Sequence, residues 1–145
     1  MEKYYILFAL CLYIPTALCL SEEMQELVNM LHGTCIAESG VSEDIINKVN
    51  ADKMMIDDEN LKCYIKCLLS QTGCISDDGV VDIDATIELL PPEMKEVGTP
   101  IVKKCGAKTG ANPCESAWLT HKCYLEMNPE CDTVDVNFLQ VYTLY

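Results

Sequence analysis

Arginine is absent from the 145 residues, and 10 lysines stand against 23 acidic residues, a formal net charge of −13. A surface this acidic is repelled by phosphates and anionic lipid heads, so nucleic acid and membrane surfaces are poor partners and the charge favours solubility. Histidine occurs only as His32 and His121, which leaves a Ser-His-Asp triad few ways to form. There is no Gly-x-Ser-x-Gly elbow, no Cys-x-x-Cys for zinc or thioredoxin chemistry, and no Asn-x-Ser/Thr glycosylation acceptor. Long apolar runs are missing too, apart from one between Tyr4 and about Leu18.

That run follows Met1-Glu2-Lys3 and precedes Ser21-Glu22-Glu23, the pattern of a secretory signal. It is shorter than the roughly 20 apolar residues of a spanning helix. Ala17 and Cys19 supply the small residues wanted before a cleavage site, which predicts a signal peptide at 1–19 and a secreted, extracellular domain at 20–145 with no membrane insertion. Of ten cysteines, Cys11 and Cys19 leave with the signal and eight remain. An even count in a small secreted domain implies disulfides rather than free thiols or metal thiolates, so neither a metal nor another cofactor is expected.

Short helices with strong punctuation fill the rest. Ser21 is placed to cap a helix carrying Met24, Leu27, Val28, Leu31 and Cys35 and ending near Gly40. Ser42 caps a shorter one with Ile45, Ile46 and Val49. The acids Asp57-Asp58-Glu59 suit the start of a third, with Leu61, Tyr64, Ile65, Leu68 and Leu69, which Gly73 ends. After the turn Asp77-Asp78-Gly79, Asp82 begins a fourth that Pro91-Pro92 must stop. Glu93 to Cys105 is interrupted at Pro100, as either a kink or a break. Asn112-Pro113 starts the last, with Cys114, Ala117, Trp118, His121 and Leu125 on one face. The tail from Thr133 to Tyr145 alternates first like a strand and then does not.

Cys35, Cys63, Cys67, Cys105, Cys114 and Cys123 are separated by 27, 3, 37, 8 and 8 residues. Spacing puts Cys63 and Cys67 on one face of the third helix but permits 15 pairings of the six. One long gap, three, another long gap, eight and eight resembles the cysteine signature of the insect odorant-binding proteins, also called pheromone-binding and general odorant-binding proteins. Leu61-Lys62-Cys63-Tyr64, Asp77-Asp78-Gly79, Leu90-Pro91 with Met94, and Ala117 with His121-Lys122-Cys123 agree with it. The resemblance implies an all-α, compact six-helix disulfide-stapled domain around an apolar cavity, with bonds Cys35–Cys67, Cys63–Cys114 and Cys105–Cys123. Cys74 and Cys131 lie outside the six; a fourth bridge between them is the preferred expectation, and an intermolecular bond the alternative.

It also implies the function: secreted binding and transport of small hydrophobic ligands, odorants or pheromones, through aqueous extracellular fluid. The partner would be a small apolar ligand and, through it, an olfactory receptor; the chain would be a monomer or weak homodimer. A non-olfactory carrier or scavenger of hydrophobic molecules is the alternative, and a helical signalling protein with no cavity is a further one. By the same resemblance the ligand-binding residues are Leu68, Leu69, Ile83, Ile87, Leu90, Met94, Ile101, Trp118, His121 and Tyr124, although any of these side chains serves equally as ordinary core. Trp118 is either a ligand platform or a core anchor, and His121 either orients a ligand or is a hydrogen-bonded structural histidine. An apolar cavity with few polar contacts would show little preference for head-group chemistry. The tail is expected to cover the cavity mouth, with weaker binding at pH 5 than at pH 7 as His121, and His32 with it, gains charge near pH 6.5.

No catalytic residue is expected. His121-Lys122-Cys123-Tyr124 superficially resembles the His-Asp-x-Cys-Tyr of secreted phospholipases A2, but Lys122 stands where Asp is needed and no glycine-rich calcium loop accompanies it. Asp77-Asp78-Gly79 is no EF-hand, because Cys74 and Ala85 would fall where an Asp and a Glu are required.

Overall fold

Side chains ahead of the apolar stretches start four of the helices by bonding to backbone N–H groups that have no partner inside the helix. In a computed structural model, described for residues 22–90 and 92–127, Ser42 Oγ accepts from Ile45 N, Asp58 Oδ1 from Leu61 N at 2.8 Å, Asp82 Oδ1 from Ala85 N at 2.9 Å and Asn112 Oδ1 from Glu115 N at 2.9 Å. Six helices result: α1 Glu22–Ser39, α2 Glu43–Asp52, α3 Glu59–Gln71, α4 Ile83–Leu89, α5 Lys95–Cys105 and α6 Pro113–Met127. A 3-10 turn, Pro92–Met94, leads into α5. The fold is all-α, and the extended pairing among the described residues is a single bridge between Ile75 and Val81.

The choice at Pro100 resolves as continuity, since α5 runs through it. Pro100 lies in the second turn, where its missing N–H costs one bond, to the Glu96 carbonyl, and the turns beyond close normally. The Asp77-Asp78-Gly79 turn has a packing role. Gly79 adopts φ +84°, and a Cβ there would stand 2.6 Å from the Cα of Pro113, so the hairpin lies directly on the first residue of α6.

Helix α3 packs along α6 on one side and α1 on the other, while α5 packs on α4 and α6. Two apolar clusters follow. The larger contains Cys35, Ile46, Val49, Leu61, Ile65, Leu68, Leu69, Ala117 and Trp118; the smaller contains Leu90, Val102, Cys105 and Tyr124, with Ile87, Ile101, Cys123 and Met127 partly buried against it. Ile83 touches both. Each fully buried Leu, Ile or Val contributes about 1.5–3 kcal/mol.

Disulfides close between Cys35 and Cys67, Cys63 and Cys114, and Cys105 and Cys123, spanning 32, 51 and 18 positions. Loops of this length correspond to about 2–4 kcal/mol of stabilisation per bridge. They tie α1 to α3, α3 to α6 and α5 to α6. Cys74 is buried and has no bridge among the described residues. Its expected partner Cys131, the signal peptide at 1–19 and the C-terminal tail lie outside them. No described helix is long and apolar enough to cross a membrane.

Two hydroxyls that sequence reasoning did not single out fix the loop before α6. Thr120 and Ser116 are buried; Thr120 Oγ1 donates to the Ser116 carbonyl and accepts from Lys108 N at 2.9 Å, and Ser116 Oγ donates to the Asn112 carbonyl and accepts from Gly110 N at 3.0 Å. Their signal was a run of small polar residues at helical spacing on an otherwise apolar face.

Candidate functional site

The ten expected ligand-binding residues divide between the two clusters. Leu68 and Leu69, on α3, and Trp118, on α6, belong to the larger; Ile83, Ile87, Leu90, Ile101 and Tyr124 gather at the smaller, formed by α4, α5 and α6. Met94 sits half-buried at the start of α5. His121 is buried on α6, its ring meeting that of Tyr124 edge to face with centroids 6.4 Å apart.

Trp118 and His121 were expected to share a face, yet their surroundings differ. Three residues along a helix leave roughly 60° between side chains, enough to point them at different neighbours. The Trp118 indole donates to the Ile56 carbonyl at 3.0 Å, and its ring lies beneath the ammonium groups of Lys122 and Lys62, 5.0 and 5.3 Å from its centroid. Lys62 is held there by Asp57 and Glu59, at 2.6 and 2.8 Å, whose hydrogen bonds raise its pKa further above the usual lysine range. The indole therefore has its hydrogen bond and its cations already.

His121 and Tyr124 are the opposite case. His121 Nε2 and Tyr124 Oη are buried and have no hydrogen-bond partner among the described residues. Buried polar atoms of this kind are uncommon, because each forfeits its bond to water without replacement, at about 1–3 kcal/mol. Burial lowers the His121 pKa to about 4, and no neighbouring charge contributes. The ring is neutral at pH 5 as at pH 7, so a switch at pH 6.5 does not lie in this histidine. Burial, and secondarily Cys74, pushes Tyr124 up to about 12, so it keeps its proton and remains a donor. Two buried polar atoms without partners among the described residues thus lie one turn apart on α6, Tyr124 within the smaller apolar cluster.

His32, the second histidine, links three helices. Its Nδ1 lies 2.8 Å from Tyr64 Oη and its Nε2 3.2 Å from Glu43 Oε1. A neutral ring satisfies both contacts, accepting the Tyr64 proton at Nδ1 and donating from Nε2. Burial, and secondarily the Glu43 charge, raises the Tyr64 pKa well above its ordinary value.

Elsewhere, a cleft of about 450 Å3 opens beside the Cys63–Cys114 bond, with walls that include Glu38, Glu59, Asp77 and Lys66. It is charged and carries none of the ten residues. Among the described residues no group of three or more His, Cys, Asp or Glu is placed to hold a metal ion.

Comparison with known proteins bears on what this arrangement does. The model of the PBP/GOBP family matches residues 18–127. General odorant-binding protein 69a of Drosophila melanogaster is 30% identical over 101 residues, covering 70% of this chain and 68% of that protein. The crystal structure of the medfly odorant binding protein CcapOBP22/CcapOBP69a superposes with a TM-score of 0.64 at 37% identity, covering 70% of this chain and 88% of that one. Odorant Binding Protein 7 from Anopheles gambiae, with four disulfide bridges and in complex with an azo compound, superposes with a TM-score of 0.72 at 26% identity, covering 88% and 100%.

Proposed function

Because the chain belongs to the PBP/GOBP family, whose members bind small hydrophobic ligands and are not enzymes, we propose that it is a secreted carrier that binds odorants or pheromones and transports them through extracellular fluid. The observation that carries the reading is a pair of buried atoms without partners among the described residues, His121 Nε2 and Tyr124 Oη, of which Tyr124 belongs to the cluster of Leu90, Ile83, Ile87 and Ile101. An apolar site with a small number of convergent polar groups is the usual make-up of a small-molecule pocket. The ligand lies between α4, α5 and α6, and Leu68, Leu69 and Met94 border it. Trp118, with its N–H bonded and its ring beneath two lysines, anchors α6 to the segment at Ile56 rather than stacking on the ligand.

A fourth bridge, Cys74–Cys131, fits this reading. Cys74 is buried and unbridged among the described residues, and the Anopheles gambiae relative has four disulfide bridges. Residues 1–19 act as the signal peptide that exports the domain 20–145.

The test is uptake of an apolar fluorescent probe by the full oxidised chain, followed by displacement with volatile alcohols, esters and fatty acids. Saturable uptake reversed by some of these is expected. Absence of uptake would refute carriage and favour a helical protein acting through its surface.

A further inference from the structure

Resting on the carrier reading, we propose that His121 and Tyr124 form a head-group subsite that recognises ligands ending in an uncharged oxygen function, an alcohol, aldehyde or ester, and discriminates against carboxylates. An apolar cavity by itself would be indifferent to head groups; these two atoms are what changes that expectation.

The argument begins with supply and demand of hydrogen bonds. Tyr124 Oη has a proton to give and lone pairs to offer. His121 Nε2 either donates or accepts, according to its tautomer, and nothing in its surroundings binds it to one role. An alcohol, which both gives and takes a hydrogen bond, satisfies the pair at once. An ester or aldehyde carbonyl, which only accepts, is served by Tyr124 and by the tautomer of His121 that carries hydrogen on Nε2. The bonds add partners to atoms that are buried and have none among the described residues, so no protein–protein hydrogen bond is given up for them.

A carboxylate meets the same donors but lacks what its charge requires. The side chains packed around Tyr124 are Leu90, Val102 and Cys105, with Ile87, Ile101 and Met127 at their edge. No charged side chain belongs to the smaller cluster among the described residues, and burial lowers the His121 pKa to about 4, so the site offers a neutral ring at pH 7 and no standing cation. An ionised carboxylate buried without a counter-charge is strongly disfavoured. Its escape is to bind as the neutral acid. A carboxylic acid that ionises like glutamate, near about 4.3, holds its proton in only about one molecule in several hundred at pH 7.

The experiment is displacement of N-phenyl-naphthylamine from the full oxidised chain at pH 7 by an alcohol, a methyl ester, a carboxylic acid and an alkane of equal length. The alcohol and ester should compete at least about tenfold more tightly than the acid. Tyr124→Phe keeps the ring and removes the hydroxyl, so the ratio of alcohol to alkane affinity, which cancels any change in probe binding, should fall roughly two- to tenfold, with helical circular dichroism retained. An acid that competes as well as the alcohol, or a variant in which that ratio is unchanged, overturns the head-group assignment and leaves carriage standing. A chain that takes up no probe overturns both.

Discussion

Replacing His121 by leucine should flatten the acid side of the stability profile. In the unfolded chain the imidazole titrates near its ordinary pKa of about 6.5; in the fold, burial lowers it to about 4. Between these values the unfolded state binds a proton that the folded state refuses. Stability is therefore fully present above pH 6.5 and is lost as pH falls toward 4. For these two pKa values the histidine's share of the loss is about 1 kcal/mol at pH 6 and about 2 kcal/mol at pH 5, approaching about 3 kcal/mol at lower pH. Two kcal/mol is a large part of the 5–15 kcal/mol typical of a domain. Urea unfolding of the oxidised protein at pH 7, 6 and 5, followed by circular dichroism, measures it. Contributions common to both proteins cancel in the difference between wild type and His121→Leu, so that difference at each pH is the quantity to compare. The variant should be no less stable at pH 7, because it removes an unpaired buried nitrogen, and should lose about 2 kcal/mol less than wild type between pH 7 and pH 5. Parallel profiles for the two proteins would refute the burial argument for His121.

Other expected outcomes rest on separate contacts. Trp118→Phe removes the donor to the Ile56 carbonyl and should cost about 1–3 kcal/mol in urea unfolding, with a smaller effect on alcohol binding than Tyr124→Phe; unchanged stability would remove the anchor role. Gly79→Ala forces a side chain into φ +84° and against the Pro113 backbone and should cost about 2 kcal/mol or more, so an unaltered melting temperature would contradict the close approach. Peptide mapping of the secreted product should link Cys74 to Cys131 and find no alkylatable thiol, whereas a reactive Cys74 or a disulfide-linked dimer would exclude the fourth bridge.

Much of the architecture was readable because it depends on local chemistry. Ser42, Asp58, Asp82 and Asn112 start helices by bonds that reach only three residues ahead, and the Cys63-x-x-x-Cys67 spacing puts both sulfurs on one face of α3. The site was less readable for a geometric reason. Periodicity marks which face of α6 is buried, but Trp118 and His121, both on that face, look toward different neighbours. What distinguishes His121 and Tyr124 is a missing partner, and no pattern within a sequence records what fails to come close. Thr120 and Ser116 were passed over for the converse reason: their partners, Lys108 N and Gly110 N, belong to a loop whose path no helical periodicity describes. The same reach explains Pro100, where the cost of one lost bond had to be weighed against packing on α4 and α6.

The separation of the interior into two clusters bears on how a carrier with a closed interior could load at all. The smaller cluster is built on α4, a helix of only seven residues, and on α5, and the bond holding it to α6 spans 18 positions. Segments with few buried contacts part from a fold at a small fraction of the global unfolding free energy, while the larger cluster, tied by Cys35–Cys67 and Cys63–Cys114, stays shut. Loading would then need no standing doorway. The ligand would enter during brief partings of α4 and α5 from α6 and, once seated, would pack against the apolar side chains of the smaller cluster. The lifetime of the complex and the hydrogen-exchange protection of α4 would report one and the same barrier.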